Sequence, residues 1–130
     1  RSITTTIIMR RNRDEALPAS HLIEVAFELP VNFPPGGITN LPGMIMKPTE
    51  ASRGDALIGA SARVSDGLFW IALSSSENDQ KINLGLLRDR GWIDLPILYN
   101  NGRRAILTLE KGSEGAEAIN AAIDAWAKEN

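Results

Sequence analysis

The stretch from Gly91 to Glu110, GWIDLPILYNNGRRAILTLE, constrains the fold of this chain more than any other. Two apolar runs flank Asn100-Asn101-Gly102, and Asn and Gly tolerate the positive φ that hairpin turns require. Side-chain pairing decides the turn length. A two-residue loop, Asn101-Gly102, would set Leu95 opposite Thr108 and Ile93 opposite Glu110. A three-residue loop with Gly102 left-handed sets Tyr99 opposite Arg103 and Ile97 opposite Ala105. It also sets Leu95 opposite Leu107 and Ile93 opposite Leu109, so one face becomes almost wholly apolar. A slip of one residue destroys that face, and the three-residue loop is expected. Pro96 removes a ladder donor from the first of these strands, which favours an edge position or a bulge. The opposite face, with Trp92, Leu98 and Ile106, is mixed and is expected to be partly covered.

The rest of the chain reads mainly as strands. Ser2 to Arg10 is rich in β-branched residues. His21 to Leu29 alternates cleanly, with Ile23, Val25, Phe27 and Leu29 inward and Glu24, Ala26 and Glu28 outward. Ala56 to Ser74 forms a second hairpin around Asp66-Gly67. There a two-residue turn pairs Val64 with Phe69, Ala62 with Ile71 and Ala60 with Leu73, and sets Arg63 opposite Trp70 for a cation–π contact.

Two helices follow from spacing. Ser74 to Glu77 has capping-box spacing ahead of a helix to about residue 90, with Ile82 and Leu86 on its apolar side, Leu87 nearby, and Asp79, Lys81 and Asn83 outward. Ser113 is placed to cap a last helix to about residue 128, in which Ala116, Ile119, Ala122, Ile123 and Trp126 repeat at helical spacing. The expected fold is α+β: a mostly antiparallel sheet or sandwich of about six to seven strands, with helices over about 77–90 and 113–128.

Residues 30–48 break the pattern. Five prolines in nineteen residues exclude a central strand, yet Phe33, Ile38, Leu41, Met44, Ile45 and Met46 are too apolar for a disordered linker. The segment reads as a long ordered loop with at most a short strand around 43–46, and ordered long loops often carry function.

Composition narrows the chemistry. At 130 residues the chain is expected to be a single domain, 1–130, and a C-terminal piece of a longer protein. A net charge of −2 argues against a sequence-independent nucleic-acid binder. The absence of cysteine excludes disulfides, thiolate metal sites and a cysteine nucleophile, and no apolar run is long enough to span a bilayer. His21 is the only histidine, so a hydrolytic triad would need it as base, with a serine such as Ser20 and Glu24 or Glu28 as orienter. Glu24 and Glu28 are about 13 Å apart along a strand, too far for a glycosidase pair. Nothing in the sequence calls for a cofactor or a metal.

Several runs carry a resemblance. Leu17-Pro18-Ala19-Ser20-His21, Phe33-Pro34-Pro35-Gly36-Gly37-Ile38, Leu41-Pro42-Gly43, the run from Tyr99 to Leu107, and Glu110-Lys111-Gly112 resemble an uncharacterised C-terminal domain of long proteobacterial proteins. In those proteins the domain follows a Pro/Ala-rich region and a membrane-spanning helix. The resemblance covers most of the chain from Arg10 onward and implies an extracytoplasmic domain tethered to the inner membrane. It supplies an address without an activity, so no catalytic residue is carried over.

The leading functional expectation is therefore a non-catalytic interaction module for a protein or an anionic envelope component. Its surface would combine Phe33, Met44 and Met46 of the Pro/Gly-rich loop with Arg103 and Arg104 of the hairpin. Lys111 and the cluster from Arg10 to Arg13 would join those arginines if the first strand lay beside the hairpin. The alternative is a small-ligand domain with a pocket under the loop, walled by Trp70 or Trp92. A hydrolase comes third.

Overall fold

A computed structural model describes residues 3–128 as nine strands and two helices. In order these are β1 (Thr4–Arg11), β2 (Ala19–Glu28), β3 (Ile38–Asn40), β4 (Ile45–Lys47), β5 (Asp55–Ala56), β6 (Gly59–Ser65), β7 (Leu68–Ser74), α1 (Glu77–Asp89), β8 (Trp92–Tyr99), β9 (Arg104–Glu110) and α2 (Gly112–Lys128). Ser2, expected to begin the first strand, lies outside the described residues. The strands beyond the expected six or seven are short pairings of two or three residues in and after the Pro/Gly-rich segment.

The strands form two antiparallel sheets. One runs β1-β2-β7-β6. The other is built on β8, with β9 along one edge and β3 and β4 sharing the other, and β5 beyond β4. Their inner faces close on one core. Ile23, Val25, Phe69 and Ile71 come from the first sheet, Met46, Leu95 and Ile97 from the second, and Leu87, Ile119 and Ile123 from the helices. The clean alternation of β2 is what makes this possible, because Ile23 and Val25 are fully buried while Glu24 and Ala26 remain on the outer face.

The β8–β9 hairpin has the expected three-residue loop. Ile93 pairs with Leu109, Leu95 with Leu107 and Ile97 with Ala105. Gly102 stands at φ +87°, and the Tyr99 N–H donates to Arg103 O at 2.8 Å. The position of β8 differs from expectation, since it is the central strand of its sheet and not an edge. Pro96 is tolerated there because β4 pairs residues 92–94 and β3 pairs 98–99, so on the side away from β9 no ladder partner stands at residue 96.

The second hairpin differs in register. Arg63 faces Phe69, Ser61 faces Ile71 and Ala62 faces Trp70, with a bulge between Arg63 and Ser65. The expected Arg63–Trp70 contact is not formed. Arg63 instead pairs with Asp66, and it is Arg10 that lies over Trp70, 5.3 Å from the ring centroid. β6 is an edge strand whose residues are mostly exposed, so no apolar inner face is demanded of it.

Both helices form over the expected residues, although α2 starts at Gly112 and holds Ser113 within its first turn and not as its cap. On α1 the inward face is shifted, with Leu86 packed against the core and Ile82 turned out. The N-cap of α1 is Ser76, whose side chain accepts from the Asp79 N–H, and the buried residues of the helix are Asn83 and Leu87, while Ile82 is 43% exposed. Asn83 is used as a peptide mimic: its oxygen accepts from Ile58 N at 2.7 Å and its amide donates to Ile58 O at 2.9 Å. In α2, Ile119 and Ile123 are buried, and Trp126 packs on His21 with ring centroids 4.3 Å apart.

Candidate functional site

The Pro/Gly-rich segment folds back onto the hairpin tip. The Asn100 N–H donates to Gly37 O at 2.8 Å. With its side-chain amide oriented by the hydrogen-bond network, Asn100 also accepts from Gly37 N at 2.8 Å and donates to Thr39 Oγ1 at 2.6 Å. A Cβ on Gly37 would stand 3.0 Å from that amide, close enough that the Asn100 side chain would have to shift slightly. Phe33 lies against Tyr99 with ring centroids 5.6 Å apart. The structure thus brings Phe33 to the arginine-bearing hairpin, and Arg103 and Arg104 are exposed at its tip.

Met44 and Met46 do not belong to this surface. Both are 0% exposed and, with Ile38 and Leu41, fill the space beneath the loop. Their side chains occupy space beneath the loop where the sequence suggests a ligand pocket. Trp70 and Trp92 stand on the outer faces of opposite sheets and wall no cavity under the loop, because they share faces with Glu24 and Asp94 respectively. A small hollow of about 330 Å³ remains beside the loop, lined by Phe27, Gly37, Arg63, Asp66 and Asn100 among others.

The more informative feature is the outer face of the second sheet. Alternation along β8 and β9 places Trp92, Asp94, Pro96 and Leu98 there, opposite Glu110, Thr108, Ile106 and Arg104. The half nearer the helices is internally satisfied, since Asp94 takes an ion pair from Lys47 at 3.0 Å and a hydrogen bond from Thr108 at 2.7 Å. The half nearer the turn is not. There Pro42, Pro96, Leu98, Ile106, Arg104 and Asn40 border a groove of about 460 Å³, and Ile106 is 63% exposed. The sequence suggested that this face is partly covered, but no described element lies over Ile106. Neither Arg103 nor Arg104 has a carboxylate partner among the described residues.

The two basic clusters lie apart. β1 belongs to the other sheet, and Arg10 and Arg11 stand at its end opposite His21, where Arg11 donates to Trp126 O at 3.3 Å. Arg10 pairs with Glu24, which also receives the Trp70 indole N–H at 3.3 Å. Lys111 is held elsewhere, donating to the carbonyls of Leu87 and Arg88 at the end of α1, at 2.6 and 3.2 Å. Burial lowers its pKa from the ordinary 10.5, with Asp89 acting in the opposite direction.

His21 is 5% exposed and its Nδ1 lies 2.9 Å from Ser20 Oγ. Glu24 and Glu28 point to the opposite face of β2, so neither orients the imidazole. Among the described residues no three His, Asp or Glu side chains are grouped to hold a metal ion. A slot of about 320 Å³ opens between β1, β9 and α2, walled by Ile7, Met9, Leu109 and Ile119 among others, with Lys111 at its side.

No family model, curated protein or solved structure matches the chain.

Proposed function

We propose that this domain is a non-catalytic interaction module of a membrane-tethered bacterial protein, held outside the cytoplasm. Its binding face is the turn-proximal half of the outer face of the second sheet. The observation that carries this reading is the groove itself: Ile106 is 63% exposed beside Pro42, Pro96 and Leu98, with the Arg104 guanidinium at its border. An apolar centre with a charged rim is how transient interfaces combine burial with orientation. The chemistry that complements it is a polypeptide segment offering an apolar side chain beside carboxylates, which arginine binds in bidentate fashion. The extracytoplasmic address is supported by the resemblance of the Phe33–Ile38 and Tyr99–Leu107 runs. No helix among the described residues is long and apolar enough to cross a membrane.

The test is capture from detergent-solubilised bacterial envelope, followed by binding measurements on the purified captured protein. The bait is compared with a Leu98→Asp variant of unchanged thermal stability. Affinity weakened at least tenfold by the variant is the expected result, roughly the effect of losing an interface anchor. A partner that binds both baits equally would remove the groove from the function.

A further inference from the structure

β9 is hydrogen-bonded to β8 alone among the described strands, so its other edge is unpaired. Tyr99 and Arg103 form a hydrogen-bonded pair, and such pairs alternate along an antiparallel ladder. The odd-numbered residues of β9 therefore turn their backbone groups toward β8. Arg104, Ile106, Thr108 and Glu110 turn theirs outward, to the free edge. Edge strands are ordinarily blunted by proline, lysine, a bulge or extreme shortness. β6 has a bulge, and β3 and β5 have three and two residues. β9 is seven residues long, with no proline, lysine or bulge.

We propose that β9 pairs with β9 of a second copy of this chain across a two-fold axis at Leu107, joining the two second sheets into one. Symmetry and chemistry together select this register. A two-fold axis perpendicular to the sheet keeps inner residues opposite inner residues, and centring it on Leu107 uses the whole length of the strand. Arg104 then stands opposite the second copy's Glu110, and Glu110 opposite its Arg104. Ile106 meets Thr108 twice between them on the same face. On the inner face Ala105 meets Leu109, and Leu107 meets itself. The four outward-turned residues meet one another, so their free N–H and C=O groups fall into register.

The strand is thus complementary to its own antiparallel copy in charge, in apolar pattern and in backbone hydrogen bonding. Neither Arg104 nor Glu110 has an ion-pair partner among the described residues of its own chain. The other long edge, β1, offers no such match. Centred on Ile7 it would set Arg10 opposite Thr4, and no opposite charges would meet. Pairing through β9 also carries Ile106 of each copy to the seam, so the two grooves lie side by side and present two equivalent sites to a partner.

Sedimentation velocity of the whole domain, read with charge-reversed variants, tests the proposal. The unaltered protein is expected to dimerise. Arg104→Glu opposes Glu to Glu at both ends of the strand pair, and Glu110→Arg opposes Arg to Arg, so each is expected to weaken dimerisation at least tenfold. An equimolar mixture of the two single variants restores both pairs and should form a heterodimer, and the doubly exchanged protein should again dimerise with itself. Both positions are exposed, so folding is checked simply by matching melting curves. A monomer at high micromolar concentration would overturn the proposal, as would a dimer that neither single variant weakens or a mixture that stays monomeric. The groove variant Leu98→Asp lies outside the paired strand, so loss of the partner and loss of the dimer are read separately.

Discussion

Asn83 shows how a single residue departs from its pattern. By spacing it belongs with Asp79 and Lys81 on the wet side of α1, yet it is 0% exposed and its amide closes on both backbone groups of Ile58. A primary amide offers a donor and an acceptor spaced like those of a peptide group, so it completes the start of β6 as a neighbouring strand would. Asn83→Ala would leave the Ile58 N–H without that acceptor, and should cost about 1–3 kcal/mol in urea unfolding. Asn83→Asp keeps the acceptor and loses the donor, and should also destabilise. Nothing local in the sequence announces this role, because the partner backbone is twenty-five residues away and no periodicity encodes it.

At the scale of elements, the two hairpins separate what local pairing can and cannot decide. Inner-face pairing along β8 and β9 is dictated by the sequence because both strands cover the core, and a slip of one residue would expose Leu95, Leu107 and Leu109 together. Gly102 supplies the left-handed residue this loop needs. A Cβ there would meet nothing within 4 Å, so Gly102→Ala carries only the conformational cost, about 1–2 kcal/mol, measurable as a drop in unfolding free energy. The β6–β7 hairpin answers to a different constraint. β7 is fixed from its far side by β2, where Ile23 faces Ile71 and Val25 faces Phe69. β6, at the free edge, accommodates through a bulge that leaves Val64 47% exposed. Counting apolar pairs across two strands overlooked both the third strand and the solvent beyond the edge.

For the molecule as a whole, the Pro/Gly-rich segment matters more to the core than to the surface. Its composition suggests an exposed functional loop, but its methionines lie in the core shared by the two sheets, only Asn40 and Pro42 border the candidate groove, and Phe33 packs on Tyr99 at the inner side of the hairpin. Met46→Ala should therefore lower the stability of the entire domain by about 2–5 kcal/mol. Trp70 and Trp92 stand on different sheets and Trp126 on α2. Fluorescence and far-ultraviolet circular dichroism should accordingly shift together in one cooperative transition. Separate shifts would mean that the sheets have independent cores.

What the sequence determined by itself are the quantities set by neighbours in the chain. These are the longer strand and helix segments, the register of the 91–110 hairpin, the inward set of β2 and the apolar stripe of α2. Turn chemistry and side-chain period act over a few residues and leave their mark in order. Only the tertiary structure decided that β8 is central, with Pro96 opposite a gap between β3 and β4, and that the arginines of β1 and of the hairpin belong to different sheets. It also decided that Met44 and Met46 are buried while Ile106 is not. A strand's pattern states that it has two faces. Which of them meets water depends on what the distant chain lays against it, and burial is a property of that arrangement.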